Sequence, residues 1–109
     1  MKLLISVINS DDSQPLIDTL MGDGYKATVI STTGGFLREG NATLLIGVAD
    51  EDVDKVLGII KNNCHTRTQY VNPLPPTMES GELYMPTPIE VLVGGAVVFI
   101  LDVDRFERF

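Results

Sequence analysis

The chain has 109 residues, of which 44% are apolar and 21% are charged, and its formal net charge is −7. This composition is typical of one soluble globular domain and excludes a disordered chain, which would contain fewer apolar residues. The negative charge argues against a nucleic acid polymer as partner, since proteins that bind DNA or RNA carry a basic face. The longest apolar run, GGAVVFIL, is too short to span a bilayer, so we expect no membrane insertion. A single cysteine excludes an intrachain disulfide framework and suits the reducing cytoplasm.

The first elements are a strand and a helix. The run KLLISVIN at 2–9 predicts a buried strand rather than a signal peptide, because acidic residues follow it at once. The segment 11–24 predicts a helix that ends at its glycines. Asp12 or Ser13 is the expected N-cap, which places Pro15 in the first turn, where no amide is missed. We expect its apolar stripe to consist of Leu16, Ile17, Leu20 and Met21.

Two more strands and a second helix follow along the chain. Residues 25–32 and 41–49 predict strands, and residues 50–64 predict a helix with acidic residues at its N-terminal end. The apolar residues of this helix recur at helical spacing, which predicts one buried face. Residues 67–72 predict a short strand.

The last part of the chain is rich in proline and then strongly apolar. Five of the six prolines lie within 73–88, which predicts a long loop. The apolar runs after it flank Gly94 and Gly95, a pair that fits either a hairpin turn or a bulge in one bent strand. The order β-α-β-β-α-β, with extra strand material at the end, predicts a single α+β domain of the ferredoxin-like class over 1–109.

The strands are apolar on both faces, although two helices can cover only one face of the sheet. LLISVI, LLIGVA and AVVFIL carry apolar residues at odd and even positions alike. Both faces must therefore be buried, and a second copy of the chain is the expected cover of the second face. The alternative is that the 73–88 loop folds over that face.

The sequence offers little for catalysis or metal binding. Cys64 and His65 are adjacent, so on a helix they point about 100° apart and make poor partners for one metal or for a Cys-His dyad. A core-facing thiol and a histidine at the helix end explain them better. We expect no enzyme, no metal site and no cofactor.

The segment TTGGFLREGN at 32–41 is longer than a hairpin turn requires. Its glycines can bring backbone amides close to an oxygen, and Asn41 presents a donor and an acceptor that suit an adenine edge. Phe36 can stack on a base, and Lys26 and Arg38 add positive charge. These residues fit a nucleotide, while a polar hairpin without a ligand remains the alternative.

The segment YKATVISTTGGFLREGNATLLIGV closely resembles the signature of the PII-like cyclic-di-AMP receptors of Gram-positive bacteria, the PstA/DarA family. The resemblance continues through VDKVLGIIKNNC and the terminal YMPTPIEVLVGGAVVFILDVDRFERF. It implies a ferredoxin-like homotrimer without catalytic activity that binds cyclic-di-AMP between neighbouring subunits. It also implies that ATP and 2-oxoglutarate, ligands of the related PII nitrogen regulators, are not the ligands here.

By position, the resemblance implies a set of ligand-binding residues. Lys26 would meet a phosphate or the base near it, while Asn41 and the backbone of Gly47 would read an adenine edge. Phe99 would close the pocket from the neighbouring subunit. The full set is Lys26, Ala27, Thr28, Gly35, Phe36, Leu37, Asn41, Gly47, Phe99 and Arg108.

Two positions depart from the family pattern. Lys26 stands where the family usually has arginine, and Arg108 falls where related proteins can carry glutamine. These departures leave an alternative function open, namely a PII-like regulatory protein that binds another nucleotide or only a protein partner. A metal-handling trimer of the same fold is a further alternative. In the receptor interpretation, the messenger rearranges loops and so changes how an unidentified downstream protein docks.

Overall fold

Two helices pack against one face of a four-stranded antiparallel sheet, and a two-stranded ribbon extends from it. The structure is a computed structural model that describes residues 1–30, 40–71 and 89–109. The elements in chain order are β1 (Lys2–Asn9), α1 (Ser10–Gly22), β2 (Ala27–Ile30), β3 (Asn41–Val48), a 3-10 turn (Asp50–Asp52), α2 (Val53–Cys64), β4 (Arg67–Val71), β5 (Ile89–Val93) and β6 (Ala96–Asp102). This confirms a mixed α/β fold with two helices.

The strand order is β2-β3-β1-β6 in the sheet, and β4 and β5 form the separate ribbon. All neighbouring strands are antiparallel. The two apolar runs around Gly94 and Gly95 thus belong to different sheets, so a hairpin turn between them, one of the two alternatives that the sequence left open, is wrong. Both glycines have positive φ, 82° and 83°, which lets the chain leave the ribbon and enter the sheet within two residues.

Helix α1 begins earlier than the sequence predicts. Asn9 is the N-cap, and its side-chain oxygen accepts a hydrogen bond from the amide of Asp11 at 2.9 Å. The expectation of Asp12 or Ser13 as N-cap is wrong, because the strand ends in an asparagine that can cap the helix directly. Pro15 consequently lies inside the helix, beyond its first turn.

The core lies between the sheet and the helices. Alternate residues of β1 and β3 face it, and Val56 and Ile60 contribute from α2, as predicted. On α1, Leu16 and Leu20 are fully buried, but Met21 is 64% exposed, so its place in the apolar stripe is wrong. The buried apolar residues are Leu4, Ile8, Leu16, Leu20, Ala42, Leu44, Ile46, Val48, Val56, Ile60 and Cys64.

The face of the sheet opposite the helices, the open face, is exposed within one chain. On β6, Val97 is 57% exposed, Phe99 56% and Leu101 43%. The residues that share this face on β1, namely Leu3, Ile5 and Val7, are only partly buried. In the described ranges no helix is both long and apolar enough to cross a membrane.

Candidate ligand site

The strand register aligns two of the predicted site residues on the open face. Thr28 pairs with Leu45, Leu45 with Ile5, and Ile5 with Phe99. These residues form one row across the sheet, with Thr28 on the β2 edge and Phe99 on the β6 edge. Three strand spacings separate the two edges, about 14 Å. Thr28 and Phe99 of one chain therefore cannot line the same small pocket from both sides.

Lys26, Thr28 and Gly47 lie near one another at one end of the β2–β3 pair. Ala27 pairs with Ile46, so Lys26 and Gly47 each lie one residue beyond that pair. Lys26, Thr28 and Gly47 are all exposed, whereas the side chain of Ala27 packs against the core. A ligand could reach only the backbone of Ala27, together with the ammonium of Lys26 and the hydroxyl of Thr28.

Acidic side chains lie close to Gly47. An open cleft of about 430 Å³ is lined by Gly47, Asp50 and Glu51, among others. The N-terminal ammonium lies 2.7 Å from Oδ1 of Asp50 and, by this hydrogen bond, lowers the pKa of that carboxyl. A negatively charged group is therefore favoured on the Lys26 side of Gly47, while on the other side the ammonium offsets the charge of Asp50.

Asn41 lies at the other end of β3. It pairs with Asn9 of β1 and lines a cleft of about 360 Å³ together with Gly94 and Gly95. Asn41 and Gly47 are six residues apart on one strand, a separation of about 20 Å. Asn41 and Gly47 of a single chain therefore cannot contact the same adenine, because successive strand residues are extended; their role at an adenine edge stays a prediction.

The remaining predicted residues are either distant or not described. Arg108 is exposed in the segment after β6. Gly35, Phe36 and Leu37, like most of the 32–41 loop and the whole 73–88 loop, lie outside the described residues.

The structure also contains an ion pair that the sequence analysis did not predict. Asp12, in the first turn of α1, has a side chain only 8% exposed. Arg67, the first residue of β4, donates to both of its oxygens, from Nη2 at 2.9 Å and from Nη1 at 3.2 Å. This hydrogen bond raises the pKa of Arg67, so the guanidinium stays charged. The two residues are 55 positions apart in the sequence, and no local sequence motif predicts such a contact.

The side chains of Cys64 and His65 lie in different environments. Cys64 is 1% exposed, and burial raises the pKa of its thiol to about 11. His65 is exposed at the end of α2. Among residues 1–30, 40–71 and 89–109, no group of three or more His, Cys, Asp or Glu side chains could hold a metal ion.

The whole chain, residues 1–109, matches the family model described as "Cyclic-di-AMP receptor". The chain is also similar to the "Nitrogen fixation nifHD region GlnB-like protein 1" of Methanothermococcus thermolithotrophicus, with 33% identity over 61% of this chain and 75% of that protein. Among solved structures, a functionally unknown protein from Pediococcus pentosaceus is 42% identical. The match covers 99% of this chain and 96% of that one, with a TM-score of 0.77.

Proposed function

Because the chain belongs to the cyclic-di-AMP receptor family, we propose that it is a receptor that binds cyclic-di-AMP at the interfaces of a homotrimer. The family also makes a nucleotide messenger, rather than a nucleic acid polymer, the expected ligand. The proposed role is binding without catalysis, in the cytoplasm.

The row from Thr28 to Phe99 carries this proposal. These two residues share one face of the sheet but lie on opposite edges, about 14 Å apart. A head-to-tail contact would bring the β6 edge of one chain to the β2 edge of the next, so that Phe99 of one chain meets Thr28 of its neighbour. Such contacts form a ring when the rotation closes, and three copies make the PII-like trimer of ferredoxin-like chains that we propose.

The exposed apolar surface supports the same assembly. Val97, Phe99 and Leu101 form a continuous row along β6, and each is more than two-fifths exposed in one chain. A soluble monomer rarely leaves such a patch uncovered. Contact with neighbouring copies would bury it and would also complete the ligand site.

The chemistry of the residues near β2 suits the phosphates of the messenger. Lys26 supplies a positive charge, Thr28 a hydroxyl, and Gly47 an exposed backbone without a side chain of its own. In our proposal, Phe36 and Leu37 pack on an adenine, Gly35 offers its amide, and Arg108 of the tail adds a second cation. Asn41 and Gly47 lie at opposite ends of β3, so we assign them to the two different adenines.

The messenger would act by rearranging loops. The 32–41 loop joins β2 to β3; it follows the Ile30 end of β2, which pairs with Thr43, and therefore belongs to the Asn41 end of the site, opposite Lys26. We propose that binding orders the 32–41 loop and changes how a downstream protein docks on the trimer.

Calorimetric titration with cyclic-di-AMP tests the proposal, with cyclic-di-GMP and ATP as comparators. We expect about one cyclic-di-AMP per chain and no comparable binding of the other two nucleotides. Asn41→Ala should weaken binding by about 1–3 kcal/mol, because it removes the paired donor and acceptor from the adenine. Asn62→Ala, which removes an exposed asparagine of α2, is the matched control and should bind as the wild type does.

The same titration addresses the alternative function, a PII-like regulatory protein with another nucleotide or only a protein partner. Two observations favour that alternative, the lysine at position 26 in place of the family's arginine and the carboxylates of Asp50 and Glu51 beside Gly47. A folded trimer that gives no heat with cyclic-di-AMP would replace the receptor proposal with this alternative.

A further inference from the structure

The ion pair between Asp12 and Arg67 links the β4–β5 ribbon to the first turn of α1. The guanidinium contacts both carboxylate oxygens, so the contact fixes direction as well as distance. Arg67 pairs with Val93 across the ribbon, which places the ion pair at the ribbon's base. A charge as buried as that of Asp12 is stable only with such a partner.

The base of the ribbon is tightly packed around Arg67. A Cβ added to Gly94 would lie 2.6 Å from Nη1 of Arg67 and 2.6 Å from the carbonyl oxygen of His65. A Cβ added to Gly95 would lie 2.8 Å from Oγ1 of Thr66. The guanidinium therefore occupies the space beside Gly94, where the chain turns from the ribbon into β6, while Thr66 occupies the space beside Gly95.

The Asp12 side of the ion pair is connected to the cleft lined by Asn41, which we call the Asn41 cleft. The amide of Ser10, two residues before Asp12, donates to the carbonyl oxygen of Gly40 at 2.5 Å. Asn9 caps the same turn of α1 and pairs with Asn41 across the sheet. Gly94 and Gly95, at the base of the ribbon, line the cleft together with Asn9 and Asn41.

We propose that Asp12 and Arg67 are positioning residues that couple occupancy of the Asn41 cleft to the orientation of the β4–β5 ribbon. This inference rests on the proposed function, since the occupant is cyclic-di-AMP. A ligand held by Asn41 shifts the Gly40–Asn41 backbone, the first turn of α1 follows through Ser10, and the ion pair transfers the shift to β4. The coupling is reciprocal: if the ligand favours one orientation of the ribbon, that orientation favours ligand binding by the same factor.

Hydrogen–deuterium exchange of the ribbon amides, 67–71 and 89–93, tests the coupling with and without cyclic-di-AMP. In the wild-type protein we expect the ligand to slow this exchange about tenfold, within the usual range of coupling between sites. Arg67→Lys keeps the charge but loses the bidentate contact. In this variant the ratio of the ribbon exchange rates without and with ligand should fall to near one. The affinity for cyclic-di-AMP should also weaken, and exchange in β1 and β3 should stay unchanged.

Two further variants complete the design. Asp12→Asn removes the charge of the partner and should match Arg67→Lys; if it does not fold, Arg67→Lys alone decides the test. Asp18→Asn is the control, because it removes an exposed carboxylate of the same helix, bonded only to the nearby Gln14 in the described chain. It should leave both the ribbon exchange and the affinity as in the wild type.

The outcomes separate this inference from the proposed function. If the wild-type trimer does not bind cyclic-di-AMP, the proposed function is wrong and the coupling with it. If the wild type binds the ligand but the ribbon exchange does not respond, or responds equally in Arg67→Lys, then only the coupling is wrong. A uniform rise of exchange across β1, β3 and the ribbon in Arg67→Lys would assign the ion pair to overall stability and also overturn the coupling.

Discussion

The two faces of the four-stranded sheet are built from the same strands but have different surroundings. On β1, Leu4 and Ile8 face the helices and are at most 2% exposed. Leu3, Ile5 and Val7 alternate with them and face the open side, where β6 exposes Phe99 at 56%. The apolar pattern thus specifies more burial than one chain provides, and the excess on the open face is the surface that the proposed trimer would bury.

The open face also differs from the covered face in where its polar residues lie. Its centre is apolar, with Ile5 and Leu45 between Thr28 and Phe99, and its end beside Gly94 and Gly95 is lined by asparagines. The covered face has Ser6 in its middle, fully buried, with an Oγ that has no hydrogen-bond partner in the described chain. Polar groups on the open face are therefore placed where a ligand can reach them, whereas Ser6 in the middle of the covered face is fully buried.

The largest expected effect is on the covered face. Leu44→Ala should lower the free energy of unfolding by about 2–5 kcal/mol, because it leaves a cavity beneath the helices at a fully buried position. Urea unfolding at several protein concentrations measures this loss, which should be present at each of them. Leu92→Ala, at a residue 75% exposed on the ribbon, is the control and should change stability by no more than about 0.5 kcal/mol. Equal losses in the two variants would contradict the assignment of the core.

A smaller effect on folding, but a large one on assembly, is expected on the open face. Phe99→Asp places a charge in the proposed subunit contact and should convert the trimer to a folded monomer. Sedimentation velocity measures the mass, and circular dichroism checks that the secondary structure is kept. Leu92→Asp introduces the same charge at an exposed apolar residue of the ribbon and should remain trimeric. A wild-type protein that sediments as a monomer would refute the interpretation of the open face.

The sequence predicted the structure best for the elements whose apolar residues follow their contact with the core. The continuous apolar runs placed β1 and β3 nearly to the residue, and the helical spacing placed the buried face of α2, because both patterns report directly on contact with the core. The predicted N-cap of α1 was wrong by three or four residues, since Asn9 is both the end of a strand and a helix cap. Local chemistry could not decide between these capping residues.

Contacts between distant segments could not be predicted. The Asp12–Arg67 pair depends on how the ribbon crosses α1, and only the folded backbone brings these residues together. Likewise, Asn41 and Gly47 belong to one sequence motif, yet an extended strand places them about 20 Å apart. A motif defines which residues can bind a nucleotide, while the register and the edges of the sheet define which of them can bind it together.

The smallest effect we predict concerns the covered face at high pH. The Cys64 thiol ionises near its ordinary pKa of 9.0 in the unfolded chain, but burial raises its pKa to about 11 in the folded chain. Between these values the unfolded state binds fewer protons, so stability is complete below pH 9 and falls as the pH rises towards 11, by an amount on the order of 2 kcal/mol. Urea unfolding at pH 8 and at pH 10.5 measures this fall. Cys64→Ala, which lacks the ionisable thiol, should show a smaller loss between the two pH values, because the contribution of the buried thiol is absent. If both proteins lose the same stability over that interval, water reaches the thiol, and the covered face is less tightly closed than the comparison with the open face requires.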